Sequence, residues 1–238
     1  MGSNGGPRAW AFLRRNPAYR AAWRARFGNS EFETGTFPVR IQSKADRRVL
    51  EWGLLAREDP HGTDGPASPF WAEAPMLDGK WTAGPPSLLQ FLARSGARLE
   101  GLRLADGSLI LKIENGSQAV QIRIGPGSDT GMGMALAVSV RVGQAQAMGR
   151  LRALASVAGK PGPHPRRDRS GTDRELLTVL DGRLAGKSWR EAAVDLYGAK
   201  RVAAEWNTDG WMRSRVRRLG RRAHRLMDGG YRDLVAKR

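Results

Sequence analysis

Seven arginines crowd the stretch from Met212 to Met227, and no acidic residue stands among them. A guanidinium is a planar fork of donors that grips two phosphate or guanine acceptors at once. The chemistry these residues point to is therefore recognition of a polyanion, not bond making. Salt-bridged surface helices mix signs at i, i+4 spacing, and like charges at this density cost helix stability unless an anion neutralises them. Elsewhere the ingredients of catalysis do not converge. His61, His164 and His224 stand far apart, and the acidic residues are scattered. The glycine-rich run Gly125 to Gly131 lacks the Gly-Lys-Ser/Thr ending of a phosphate loop, and neither Gly-x-Ser-x-Gly nor His-Glu-x-x-His occurs. With no cysteine in the chain, disulfides, zinc-cysteine sites and thiol nucleophiles are excluded together. No catalytic residue, metal site or cofactor is expected, and the chain reads as a non-enzyme.

Composition agrees. Forty Lys plus Arg against 23 Asp plus Glu leave a formal charge of +17 over 238 residues, far above what solubility asks of a small protein. Residues 166–238 hold 19 basic and 10 acidic residues, +9 net, whereas residues 1–165 hold 21 and 13, +8 net. Charge density is thus more than doubled at the C-terminal end. A hydrophobic fraction of 40% with eight tryptophans supplies a core, so the charge does not imply disorder. No apolar run reaches 18 residues, and Met1 to Pro7 carries no apolar stretch, so neither a membrane span nor a secretory leader is expected. A cytoplasmic, nucleoid-associated location follows as the expectation.

The elements that must carry this charge read as an α+β chain: an N-terminal helical, aromatic-rich segment with a small antiparallel β-sheet, then an all-α helix-turn-helix-type C-terminal domain. Over residues 1–95, Arg8 to Arg15 reads as a helix, and Asn16-Pro17 as a cap plus first-turn proline before Tyr19, Trp23 and Phe27 at i, i+4, i+8. A third helix is expected from about Lys44 to Arg57, stopped by Asp59-Pro60, then an irregular segment to Pro86 pinned by Phe70, Trp71 and Trp81. Over residues 96–158, Arg98–Leu104, Ser108–Glu114 and Ser117–Ile124 alternate as three antiparallel strands, joined at Ala105-Asp106-Gly107 and Asn115-Gly116. A fourth strand is expected at Met134 to Val142 and a helix at Gln144 to Val157.

Residues 159–171, rich in proline and glycine, read as a linker. Residues 172–238 then form the orderly part. Thr172 to Glu175 has the pattern of a capping box opening a helix that Gly186 ends, and Ser188 to Glu191 repeats it before a helix stopped by Gly198. After a stretch with room for one short helical turn, Asn207, Thr208 or Asp209 caps a long helix to about Met227. There Met212, Val216, Leu219, Ala223 and Leu226 step by 4, 3, 4 and 3 as a buried stripe. A helix, a capped second helix and an arginine-rich third make a helix-turn-helix unit, although Gly198 to Trp211 exceeds the usual turn.

Leu176 to Asp181, Ala185 to Ala193, Leu196-Tyr197-Gly198, Arg213 to Arg218 and Gly229 to Arg232 together resemble the RovC-like DNA-binding domain family. Trp10 to Trp23, with Trp52-Gly53-Leu54 and Phe70-Trp71, looks like the transcriptional-regulator-like segment that often precedes it. The resemblance implies a bacterial transcription factor, often an activator of secretion or mobile-element genes, that assembles as a homo-oligomer. Double-stranded DNA is the expected partner, with RNA polymerase or a small protein regulator as a further one. Arg213, Ser214 and Arg217 are the candidates for base contact, Lys187 and Arg190 for phosphate at the second helix's start, and Arg218, Arg221, Arg222 and Arg225 for backbone clamps. Ser188, Lys200 and Arg215 complete the expected DNA-binding set. An RNA-binding or structural nucleoprotein component is the alternative, since the same helix would serve it. A protein-interaction module with a secondary role for DNA is a third.

Overall fold

The computed structural model describes residues 5–25, 31–33, 37–42, 44–62, 68–83, 96–115, 118–127, 134–139, 149, 169–207 and 210–236. The strands are β1 (Glu31–Glu33), β2 (Val39–Ile41), β3 (Met76–Ala83), β4 (Arg98–Arg103), β5 (Leu109–Asn115), β6 (Gln118–Ile124) and β7 (Met134–Ser139). They form one sheet in the order β1-β2-β4-β5-β6-β3-β7. Its centre is the expected meander of β4, β5 and β6, with Gly107 at φ +81 and Asp106 accepting from the Ser108 amide (2.9 Å) in the first turn. Asn115 pairs with Gln118, so β5 runs one residue into the expected Asn115-Gly116 turn.

The sheet is larger than expected and is mixed, because β2 joins β4 and β3 joins β6 in parallel. Strand β3 lies inside the segment expected to be irregular. Its flanks are rich in turn formers, yet it finds partners on both sides, β6 and β7, and pairing outweighs local composition.

The helix expected from Lys44 to Arg57 is instead a 3₁₀ helix over Lys44–Trp52. Gly53 turns the chain at φ +69, and Leu54 then bridges Trp71. The Leu55 amide donates to the Phe70 carbonyl (2.8 Å) and the Gly53 carbonyl accepts from Ala72 (2.9 Å), so the Leu55 amide and the Gly53 carbonyl, which a continuing helix would have claimed, are spent on the 70–72 segment. All of the helix expected at Gln144 to Val157 except residue 149, and most of the linker at 159–171, lie outside the described residues.

Alternation along the strands gives the sheet two chemically different faces. Leu99, Leu109, Leu111, Ile113, Val120, Ile122 and Ile124 share an aliphatic core with Phe37, Val39 and Leu77. The opposite face carries Arg40, Glu100, Lys112 and Gln121, all buried. Lys112 Nζ lies 3.0 Å from Glu100 Oε2, donates to the Ser68 carbonyl (2.5 Å) and sits 4.4 Å from the Phe70 ring centre. Arg40 reaches Glu100 (2.8 Å) and Glu58 (3.1 Å). Burial pushes Glu100 up, but Lys112 and Arg40 outweigh it and hold the carboxyl below its ordinary range. For Glu58 burial wins over Arg40, and its carboxyl is raised.

The helices are α1 (Gly6–Leu13), α2 (Pro17–Arg24), α3 (Arg169–Leu184), α4 (Trp189–Tyr197), α5 (Ala199–Glu205), α6 (Trp211–Arg225) and α7 (Arg232–Ala236). Asn16 caps α2 as expected, its Oδ1 accepting from Ala18 (2.9 Å) and Tyr19 (3.2 Å). The two N-terminal helices enter the same core as α3 to α7. Trp10, Phe12, Leu13 and Tyr19 are buried with Leu176, Leu180, Val216, Ala223 and Tyr231. Ion pairs tie the join, Arg8 to Asp173 (2.7 Å) and Arg15 to Asp181 (2.6 Å), and Asn16 Nδ2 donates to the Met227 carbonyl (3.1 Å). Val49, Leu54 and Trp71 complete this core, so the 49–72 segment links it to the sheet.

Candidate nucleic-acid interface

Helix α3 begins at Arg169, three residues before the expected cap, so Thr172 lies inside its first turns. The two acids of that expected box are engaged across the bundle: Asp173 pairs with Arg8, and Glu175 with Arg215. After Gly186, at φ +80, Ser188 caps α4 with a full capping box: its Oγ accepts from the Glu191 amide (3.2 Å), and Glu191 accepts from the Ser188 amide (2.7 Å). These bonds hold the Glu191 carboxyl below its ordinary value. Ala192 and Ala193 are fully buried, and the small pair lets α4 lie close to α3.

The long stretch between α4 and the arginine helix is accounted for by α5, whose Val202 reaches the core. Helix α6 then starts at Trp211 from Gly210, at φ +63 with no side-chain cap, instead of from Asn207, Thr208 or Asp209. Met212, Val216, Leu219, Gly220 and Ala223 face inward. Gly220 is required there, since a Cβ would come within 2.5 Å of the Trp189 ring. That ring is half-buried, with the Arg183 guanidinium 4.4 Å above its centre. Leu226 lies at the margin of the core, and the helix kinks at Asp228 and Gly229 before α7.

The expected DNA-binding residues fall into three groups. Arg213, Ser214, Arg217, Arg218, Arg221, Arg222 and Arg225 are exposed on α6, and none of these arginines has an ion pair among the described residues. At 100° per residue, Ser214, Arg218, Arg221 and Arg225 point within about 30° of the direction opposite the buried stripe. Arg213 and Arg217 flank them on one side and Arg222 on the other. Ser214, Arg218, Arg221 and Arg225 step by 4, 3 and 4 along that outward direction; Trp211, outside the expected set, stands three residues before Ser214 at the edge of this face, on the Arg222 side, and is 40% exposed. That stepping was open to the same periodicity argument that found the buried stripe.

The second group is structurally engaged. Arg215 is half-buried, with Nη2 3.0 Å from both Glu175 oxygens, and the Glu175 bonds and the neighbouring Tyr197 phenol hold its guanidinium above the ordinary value. Lys187 pairs with Asp195 (2.8 Å), and the Ser188 hydroxyl is used as the cap. The third group, Arg190 on the first turn of α4 and Lys200 on α5, is exposed on helices other than α6. Arg8 and Arg15, whose pairs occupy two acids of α3, were not anticipated; their partners lie 165 and 166 residues away.

Among the described residues, no three His, Asp or Glu side chains converge as a metal site, and no helix is long and apolar enough to cross a membrane. Residues 132–236 match the family model described as T6SS, Transcription factor, DNA binding domain. No curated protein matches the chain.

Proposed function

We infer that this chain, with its RovC-like DNA-binding domain at residues 132–236, is a bacterial transcription regulator that reads duplex DNA with the outward face of α6. The observation that carries the reading is the acid-free surface of that helix: six exposed arginines without ion pairs among the described residues, beside one, Arg215, that is consumed in packing. Helices α4 and α6 both pack on α3, the arrangement a helix-turn-helix reader uses to press one helix into the major groove. Ser214 and Arg218 stand on the N-terminal half of the outward line, where a groove-bound helix meets base edges. Arg221, Arg222 and Arg225 then clamp the phosphates, with Arg190 as an outlying contact.

The protein acts as a regulator and not as an enzyme, working in the cytoplasm on the nucleoid. The T6SS in the family description makes secretion-gene promoters the first to examine, with activation as the expected sign. Self-association and contact with RNA polymerase or a small protein regulator complete the reading, and native mass measurements on the duplex complex address both.

Neutralising about six phosphates releases their counterions, so the logarithm of the duplex association constant should fall against the logarithm of salt concentration with a slope near −5. Fluorescence anisotropy on one duplex across a salt series measures it. A slope shallower than −2 would overturn the arginine-face reading, and equal competition by structured RNA would favour an RNA-binding role.

A further inference from the structure

Trp211 is the exposed aromatic of α6, and its surroundings hold it in place. Its ring centre lies 6.1 Å from that of Tyr197 at an interplanar angle of 60°. The Arg201 guanidinium sits 5.7 Å from the centres of both rings, and its Nε is tethered to Glu205 at 3.0 Å. An indole braced by a neighbouring ring and a cation loses little freedom when something packs on its open side.

What that side faces is set by the helix. Trp211 stands at the N-terminal end of the face that carries Ser214, Arg218, Arg221 and Arg225, at its edge between the directions of Arg218 and Arg222, so a polyanion lying along those arginines also meets the indole. In a major groove the four bases present hydrogen-bonding atoms and one apolar group, the 5-methyl of thymine. We infer that Trp211 is a base-reading residue whose indole packs on a thymine methyl group at one position of the bound duplex. The inference rests on the duplex-reading role proposed above, and its occupant is DNA specifically, because uracil in RNA lacks the methyl.

The test starts from the tightest duplex enriched by the full chain from a random-sequence pool. Each dT is then replaced singly by dU, which deletes the methyl and leaves every hydrogen-bonding atom unchanged. One position should lose affinity about four-fold, the equivalent of about 0.8 kcal/mol for one buried methyl group. In Trp211→Gln that dT/dU difference should vanish while the circular-dichroism melting curve stays in place. Should that variant melt early, Trp211→Phe, which keeps a ring over Arg201, should retain a reduced difference. Tolerance of dU at every position, an enriched duplex without thymine, or a methyl effect unchanged in both variants would each overturn the inference while leaving duplex reading intact. A pool that enriches no duplex would instead overturn the proposed function, and this inference with it.

Discussion

Arg215 and Arg218 are three residues apart on one helix and do different work. Arg215 spends its guanidinium on Glu175, whereas Arg218 projects into solvent with no ion pair among the described residues. Replacing Arg218 by Ala should relax preference at one base pair by about 1–3 kcal/mol, and Arg225→Ala should weaken all sequences alike. Binding of both variants to a panel of single-base substitutions separates the two outcomes. Loss of preference in Arg213→Ala instead would move the reading edge to the flank that Arg213 and Arg217 occupy. That the arginines would surround a buried stripe was legible in the sequence, because helical periodicity assigns faces without any knowledge of the partner. That Arg215 would be consumed was not, since Glu175 lies 40 residues earlier and nothing local marks the pair.

At the scale of elements, local devices were readable where their bonds close within a few residues. The Asn16 cap and the Ser188–Glu191 box are of this kind. The Thr172 stretch has the same hydroxyl-x-x-Glu pattern as the second, yet Asp173 and Glu175 are drawn to arginines on other helices and the helix starts earlier. Strand β3 and the early end of the 3₁₀ helix likewise depend on partners far along the chain. The Trp189 ring is seated on Gly220, where an added Cβ would come within 2.5 Å of it. Gly220→Val should destabilise the chain by about 1–3 kcal/mol through overpacking against a ring already pressed under Arg183. Chemical denaturation measures the loss; an unchanged midpoint would mean that the ring swings aside freely.

At the scale of the molecule, the family match begins at residue 132, but the core of the arginine helix does not stop there. Trp10, Phe12, Leu13 and Tyr19 fill it from the other end of the chain, each contributing about 1.5–3 kcal/mol of burial, a sum comparable to the whole stability of a domain. A fragment spanning residues 132–236 should therefore lack a cooperative melting transition, whereas the full chain should show one. A sharp transition in the fragment would make the N-terminal helices dispensable. The sequence presented these helices as belonging to a separate N-terminal segment, because the packing that recruits them leaves no local trace.

Strand β5 could slide one residue along β4 and still present an aliphatic run to its neighbours, since Leu109, Ile110, Leu111 and Ile113 are interchangeable in kind. Lys112 is not. A one-residue shift turns every side chain to the other face, and Lys112 would leave Glu100, the Ser68 carbonyl and the Phe70 ring to enter the layer of Leu111 and Ile113. A buried cation stripped of its partner costs about 3–5 kcal/mol. Arg40 and Glu100 set the same condition for β2 against β4. The buried charges thus act as an index mark, like the notch on a key: they add little to the grip of the sheet and reject every alignment but one.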